Sequence, residues 1–520
     1  MGKVQILFTS ARSVTIEVLD AGIYETNITY QVYMDEQLIT ETNKVVESIY
    51  GLKPNTTYEL KVKYGDEYTD SQTFKTSIEF ITLNVRECGA KGDGVQDDTV
   101  AIQAAIMSCP SDSRVYVPKG VYKISSLFLK SNITLEIGKD AVLSAFTDRR
   151  KFAILPGVIE SYDEKSEYNV GSWEGNPLDS YASIITGLYV ENVTICGEGT
   201  IDGCADFDNW WNDSGTKEGG VFRPRMIYLN HCKSVVVQGI TVQNSPSWNI
   251  HPYFSNRLRF LNIRVLGPAN SHNTDGLDPE SCYDVEIAGC FFSVGDDCIA
   301  IKSGKIYMGQ KFKMPSKKIR IRQSCMRDGH GAVTLGSEIA AGVNDFEVKD
   351  CVFKHTDRGL RIKTRRGRGK NSVLDEIIFE NIKMDEVKVP FVVNSFYYCD
   401  PDGKSTYVGN LNSLPVDERT PRLKNFRFTN ISCKNCHFTG AYIFGLPEQK
   451  IESLVMEHVD ITYCENARTG VAAMMAECQT ACRQGIFVKN VKQLTLRDVR
   501  VTGCDGKAFI LEDIDELVRD

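Results

Sequence analysis

Acidic, basic and imidazole side chains interrupt an otherwise apolar alternation in four short segments of the chain. They are Ser271-His272-Asn273-Thr274-Asp275-Gly276, Val294-Gly295-Asp296-Asp297-Cys298, Asp328-Gly329-His330-Gly331 and Gly359-Leu360-Arg361-Ile362-Lys363-Thr364. Asp275, Asp296 and Asp297 are groups that could cut a glycosidic bond. One carboxyl would protonate the leaving oxygen while an ionised one works from the opposite side of the sugar. Crowded carboxylates repel, so one tends to keep its proton near neutral pH while the others stay charged. Asp296 and Asp297 would point to opposite faces of a flat strand; a bend at Gly295 would present both to one side. His330, between two glycines, can tune the acid or hold a sugar hydroxyl, against the plainer role of a hydrogen-bonded structural histidine. Arg361 and Lys363 flank apolar Ile362 and so share a strand face. Paired cations there suit a substrate carboxylate, with Arg able to bind it through two N–H groups.

Further candidates surround these. Arg365, Arg366, Arg368 and Lys370 follow in a glycine-containing loop, which reads as an extra subsite for a polyanionic sugar rather than a solvated loop or a nucleic-acid patch. Lys302, just beyond the apolar run that starts at Cys298, can serve the same end. Asn244, Trp248, Asn249 and His251 fall one interval earlier and are candidates for the other side of a cleft, with packing as the alternative for Trp248. Cys433-Lys434-Asn435-Cys436-His437 has metal-like spacing but no second pair at the usual distance. Neither a metal nor a cofactor is expected.

These residues need a scaffold that repeats. The four segments lie about 21, 33 and 31 residues apart. Around them recurs an eight-residue pattern of apolar alternation with a turn-favouring fifth position. It is found at Leu188–Ile195 (Asn192), Val235–Val242 (Gly239), Leu258–Val265 (Asn262), Val285–Phe292 (Gly289), Ile319–Met326 and Phe346–Phe353 (Asp350). It continues at Ile377–Met384 (Asn381), Phe426–Cys433 (Asn430), Leu454–Ile461 and Leu494–Val501 (Asp498). Intervals of about 23 to 49 residues, with bends at residues that tolerate left-handed backbone, fit the coils of a right-handed parallel β-helix. A leucine-rich repeat or a propeller would be more regular. Stacked coils lie about 4.7–4.9 Å apart, so the four segments would line one groove. Asp97-Asp98-Thr99 predicts a helix that ends before Pro110 and covers the first coil's open end. The first 78 residues alternate differently, as in Val14–Val18, Tyr30–Tyr33 and Tyr58–Val62. They predict a small β-sandwich in which Gly51-Leu52-Lys53-Pro54-Asn55-Thr56-Thr57-Tyr58 resembles the tyrosine corner of fibronectin type III domains. The expected organisation is therefore all-β: a fibronectin type III-like sandwich over 1–78 and a β-helix over 79–520, the former a spacer or binding accessory.

Composition narrows the partners. The chain has 520 residues, a net charge of −8 and ordinary apolar and charged fractions, which disfavours a nucleic-acid or acidic-membrane partner. No apolar run is long enough for a membrane span. The start Met1-Gly2-Lys3-Val4-Gln5 carries no signal core, which predicts a cytoplasmic protein if that start is native and a secreted or periplasmic one if a signal has been removed. The 17 cysteines fall mostly in apolar strand patterns and read as reduced, buried small hydrophobes. Oligomeric state is not readable from the chain.

Asn273-Thr274-Asp275, Gly295-Asp296-Asp297, Gly329-His330-Gly331 and Arg361-Ile362-Lys363 resemble, in order and near spacing, the signature of glycoside hydrolase family 28, the polygalacturonases. The resemblance covers roughly 80–505, and Cys88–Gly94 is similar to that family's entry to its capping helix. It implies that Asp296 is the general acid and that Asp275 and Asp297 activate water, with inversion and carboxyl separations of about 6.5–9.5 Å. It also implies that Asn273, Lys302, Arg361, Lys363, His251 and Arg366 surround a pectic oligo- or polygalacturonate. The insertion from Phe146 to Asp179, with Tyr162, Tyr168 and Trp173, could wall off one end of the groove. With Gly336-Ser337-Glu338 and the basic run, it resembles bacterial exo-polygalacturonases. Alternatives are a rhamnogalacturonan or xylogalacturonan hydrolase, a pectate lyase, and a non-catalytic β-helix that binds carbohydrate.

Overall fold

The computed structural model describes residues 3–160, 167–212 and 220–520; Tyr162 lies outside them. Strands Val4–Thr9, Ser13–Val18 and Val46–Tyr50 form one antiparallel sheet, and Glu25–Met34, Gln37–Lys44, Thr57–Tyr64 and Gln72–Lys75 belong to a second. Their alternation sends Val14, Ile16, Tyr30, Val32, Leu60 and Val62 into a common core. The Tyr58 hydroxyl accepts from the Lys53 backbone N–H at 2.9 Å, which is the local closure that the tyrosine-corner motif predicts. This sandwich is not a free appendage. Leu7, Val45 and Val46 pack on Leu261 and Ala288 of the solenoid, the Arg259 guanidinium donates to Leu7 O at 2.6 Å, and Arg322 pairs with Glu17.

From Thr82 onward the chain winds into a parallel β-helix whose largest sheet has 28 strands. The apolar alternation predicted from sequence sets its register. Val235, Leu258, Val285, Ile319, Phe346, Ile377, Phe426, Leu454 and Leu494 pair one after another as a single buried column. Each such side chain contributes roughly 1.5–3 kcal/mol by leaving water. The fifth residues of those coils, from Gly239 to Asp498, all have φ between 47° and 75°.

One repeat is framed differently from the prediction. Val193, not Leu188, pairs with Val235, so that coil bends at Gly197 (φ 119°). Asn192 (φ 55°) instead lies in line with Ser234 (φ 55°). A coil has more than one left-handed corner, and apolar alternation flanks each of them, so the pattern can be read one strand early.

The predicted capping helix is Thr99–Ser108, and it buries Ile102, Ala105 and Ile106 over the first coil. Asp98 does not cap it with its side chain. Its carboxylate turns back to accept from the backbone N–H groups of Lys91 and Gly92 at 2.7 and 2.9 Å, which fastens the Cys88–Gly94 turn to the helix start. Among the described residues no helix is long and apolar enough to cross a membrane.

Candidate active site

The strands Ile299–Ile301, Val333–Gly336 and Arg358–Lys363 stack in parallel, with Ala300, Thr334 and Arg361 in one row and Gly336 beside Lys363 in another. Alternation buries Ile299, Ile301, Val333, Leu335, Leu360 and Ile362 inside the coil and turns Arg361 and Lys363 outward together. Asp296 and Asp297 fall in the connection between Phe291–Ser293 and Ile299–Ile301. That bend does what a strand could not: one oxygen from each of Asp275, Asp296 and Asp297 lies within 4.8 Å of the others. The expected carboxyl spacing of about 6.5–9.5 Å is therefore not found. Successive coils press the three side chains together more tightly than the resemblance implied.

The three carboxyls differ in surroundings. Asp297 is fully buried, with Oδ1 accepting from Arg361 Nη1 at 3.0 Å and Oδ2 from Lys363 Nζ at 2.7 Å. Burial alone would raise its pKa, but Lys363 and Arg361 hold it well below the ordinary carboxylate range. Asp275 is also buried, and burial, with Asp278 and Asp296 nearby, pushes its pKa well up. Asp296 is half-buried and faces the cleft; among the described residues no ion pair engages it. Gly331 is required by the closeness of this packing. A Cβ there would stand 2.3 Å from Thr334 Oγ1 and 2.6 Å from Asp297 Oδ1.

A cleft of about 260 Å³ opens over these groups, lined by Asn273, Asp275, Asp296, Lys302, His330, Arg361 and Lys363. Trp248, Glu174, Ser337, Glu338, Tyr397, Cys399, Asp400 and Met474 complete its walls. Asn273 Oδ1 accepts from Arg223 Nη2 at 2.8 Å, which fixes the amide at the rim. His330 Nδ1 lies 2.9 Å from Asp357 Oδ2. That hydrogen bond raises the His330 pKa against the pull of burial, with Asp296 and Asp297 adding to it. Asp357 is itself anchored by Lys388 Nζ at 2.5 Å. Lys302 Nζ bonds Glu338 Oε2 at 3.0 Å and lies 3.9 Å from Asp275 Oδ2. The three aspartates are close enough together to share a cation, but Arg361, Lys363 and Lys302 already bring positive charge to them, a poor fit for a divalent ion.

Two expected substrate contacts are not at the cleft. His251 is fully buried with Nε2 2.9 Å from Glu280 Oε2; burial holds His251 well below its ordinary pKa and lifts Glu280 to about 7. It sits edge-on to Trp248 at 4.9 Å, behind the wall rather than on it. Arg366 is buried too, bonded to both oxygens of Glu448 and to the carbonyls of Tyr407, Asn410 and Asn412. Arg365 likewise pairs with Asp400 and Asp402. Arg365 and Arg366 are taken up by these carboxylates because a loop carries no alternation to keep its side chains on one face. Within the insertion, Glu174 reaches the cleft, while Trp173 is buried against Phe222 at 4.7 Å.

Sequence reasoning does not single out Asp278, Asp357 or the wall residues Glu174, Tyr397, Asp400 and Met474. Asp278 is buried, and neither carboxylate oxygen has a hydrogen-bond partner among the described residues. It breaks the same apolar alternation three residues after Asp275 and was findable. Asp357 directly precedes the strand that carries Arg361 and was findable too. The wall residues come from loops without periodicity.

Crowded, differently charged carboxyls beside paired cations, on the flank of a parallel β-helix, define a polysaccharide-cleaving solenoid. The model of glycosyl hydrolases family 28 matches residues 110–482, more than two thirds of the chain. The chain belongs to that family, and it is a glycoside hydrolase. It is 33% identical over 387 residues to a probable polygalacturonase of Vitis vinifera, covering 73% of this chain and 74% of that one. It is 27% identical over 433 residues to the exo-poly-alpha-D-galacturonosidase of Dickeya chrysanthemi, covering 74% and 67%. The structure of the Yersinia enterocolitica family 28 exopolygalacturonase shares its fold, with a TM-score of 0.70 at 20% identity over 99% of this chain and 98% of that one.

Proposed function

We propose that this hydrolase removes terminal units from α-1,4-linked oligo- and polygalacturonate, with inversion at the cut bond. The observation that carries the end-cutting reading is the contact of the insertion with two other stretches of chain at one wall of the cleft. Lys305 Nζ lies 3.8 Å from Glu174 and 3.4 Å from Asp400, and the Lys305 backbone N–H donates to Gly175 O at 3.0 Å. Three separate stretches of chain meet there, where an endo-acting groove would have to stay open. The names of the Dickeya relative and the Yersinia neighbour support the same reading. The cations around Asp297 support an acidic sugar, since their field extends into the cleft. Retained His330 supports plain galacturonan over the rhamnogalacturonan alternative.

In this mechanism Asp296 protonates the leaving oxygen, because it is the half-buried carboxyl of the three and lines the cleft. Asp297, kept anionic by Arg361 and Lys363, takes a proton from the attacking water, and Asp275 helps to hold that water. Charge rather than spacing supports inversion. A carboxylate with both oxygens donated to by cations is a weak nucleophile, yet remains a usable base. The short carboxyl distances favour a second reading, retention through a covalent sugar. Exo action is checked by viscosity: purified protein should release reducing ends from polygalacturonate with little early fall in viscosity. A sharp fall at low product yield would contradict it.

A further inference from the structure

The turn Gly336-Ser337-Glu338 lies between the histidine segment and the Arg361 strand, and the mechanism above gives Glu338 no part. The residue is nonetheless buried at the cleft wall. Its Oε2 accepts from Lys302 Nζ at 3.0 Å, and its Oε1 accepts from Ser337 Oγ at 2.8 Å. Lys302 has little freedom elsewhere: its ammonium lies 3.9 Å from Asp275 Oδ2 and 4.4 Å from the centre of the Trp248 ring. The opposite side of Glu338 meets the insertion. A Cβ at Gly175 (φ 74°) would stand 2.9 Å from Glu338 Cβ and Cγ and 2.6 Å from Lys305 N. A single side chain thus touches both the tip that closes the cleft and the ammonium nearest Asp275.

We propose that Glu338 is a positioning residue that holds the Lys302 ammonium off Asp275 and ties the charge around Asp275 to the seating of the insertion tip. This rests on reading the site as a galacturonan hydrolase. The groups facing Asp275 are Asp278, Asp296, Asp297 and Lys302; those facing Glu338 are Lys302, Arg368, Lys305 and Lys363. Burial works against the charge on both members of the pair. Even so, Glu338, Asp278 and Asp275 keep Lys302 charged, and Lys302 and Arg368 keep Glu338 ionised. Buried ion pairs of this kind fix geometry because neither partner has another place to go. With the Glu338 charge removed, the ammonium is left to Asp275 and Asp278. It then pairs more closely with Asp275 and lowers the pKa of that carboxyl.

The test uses the full chain and trigalacturonate. Glu338→Gln should lower kcat by about 10- to 100-fold, as loss of a partner behind a reactive group does, with a smaller change in KM. The acid limb of the pH–rate profile, where Asp275 must lose its proton to help hold the water, should move to lower pH. Glu338→Asp, which keeps the charge, should leave that limb near its wild-type position. Because Glu338 acts through Lys302, adding Glu338→Gln to Lys302→Met should cost no more than about twofold beyond Lys302→Met alone. Losses that multiply, or a limb that stays in place in Glu338→Gln, would overturn the proposal. If Glu338→Gln does not fold, the cycle of Glu338→Ala with Lys302→Met decides by the same non-additivity. A wild-type protein that releases no galacturonate would instead sink the proposed function, whereas an active wild type with an additive cycle sinks only this inference.

Discussion

Arg361 and Lys363 carry the same charge as Arg365 and Arg366, only a few residues further along, and they end in opposite settings. The first pair stands on a strand, where alternation sends both side chains to the oxygens of Asp297. The second pair stands past the strand end, and its members fold back onto Asp400, Asp402 and Glu448. Both sets are buried and paired. What separates a cation at the aspartate cluster from one in a loop ion pair is the element that carries it and the carboxylate it meets. Charge density along the sequence is blind to that difference.

Of the two cation pairs, the strand pair should give the larger effect. Arg361→Met leaves Asp297 held by Lys363 alone. We expect a fall in kcat of at least about 100-fold, the lower range of what a positioned base contributes, with a stability loss of about 3–5 kcal/mol from breaking a buried pair. Arg366→Met should show a similar loss of stability, about 3–5 kcal/mol, but leave kcat/KM per folded molecule unchanged. Chemical denaturation and kinetics on the same samples separate the two. A raised KM for galacturonate in Arg366→Met at unchanged stability would restore the loop as a subsite and erase the contrast.

A smaller effect should come from Asp357→Asn. The hydrogen bond from Asp357 raises the His330 pKa, so the charged form of His330 persists to higher pH in the wild type and is lost as pH rises through that raised value. Asp357→Asn should move the corresponding alkaline limb of the pH–rate profile to lower pH and cut kcat by about tenfold at neutral pH. A profile that stays in place would mean that His330 is not the titrating group.

The same contrast explains what could be read from the chain. The solenoid was legible because the column from Val235 to Leu494 repeats one physical demand, a buried apolar side chain at a fixed place in every coil. Asp275, Asp296, Asp297, Arg361 and Lys363 were legible as exceptions to that demand. The structure brings them together, but the bend after Gly295 turns only Asp296 to the cleft and leaves Asp297 buried beneath it. His251 and Arg366 were misplaced since their partners, Glu280 and Glu448, lie 29 and 82 residues away, beyond any local pattern. The wall of the cleft was half legible: the insertion stood out by its length, but Tyr397, Asp400 and Met474 sit in loops whose course is set by packing against other coils. The frame of the coil at Val193 was missed because two corners obey the same rule.

In the proposed mechanism Asp297 is an ionised base, fixed by Arg361 and Lys363, in an inverting hydrolysis. Proton NMR of fresh trigalacturonate digests reports it directly, through the configuration of the reducing end created before mutarotation. The β-anomer should appear first from the wild type, with release at least about 1,000-fold slower from Asp297→Asn with its melting transition intact. The α-anomer appearing first, or near wild-type turnover by Asp297→Asn, would contradict it.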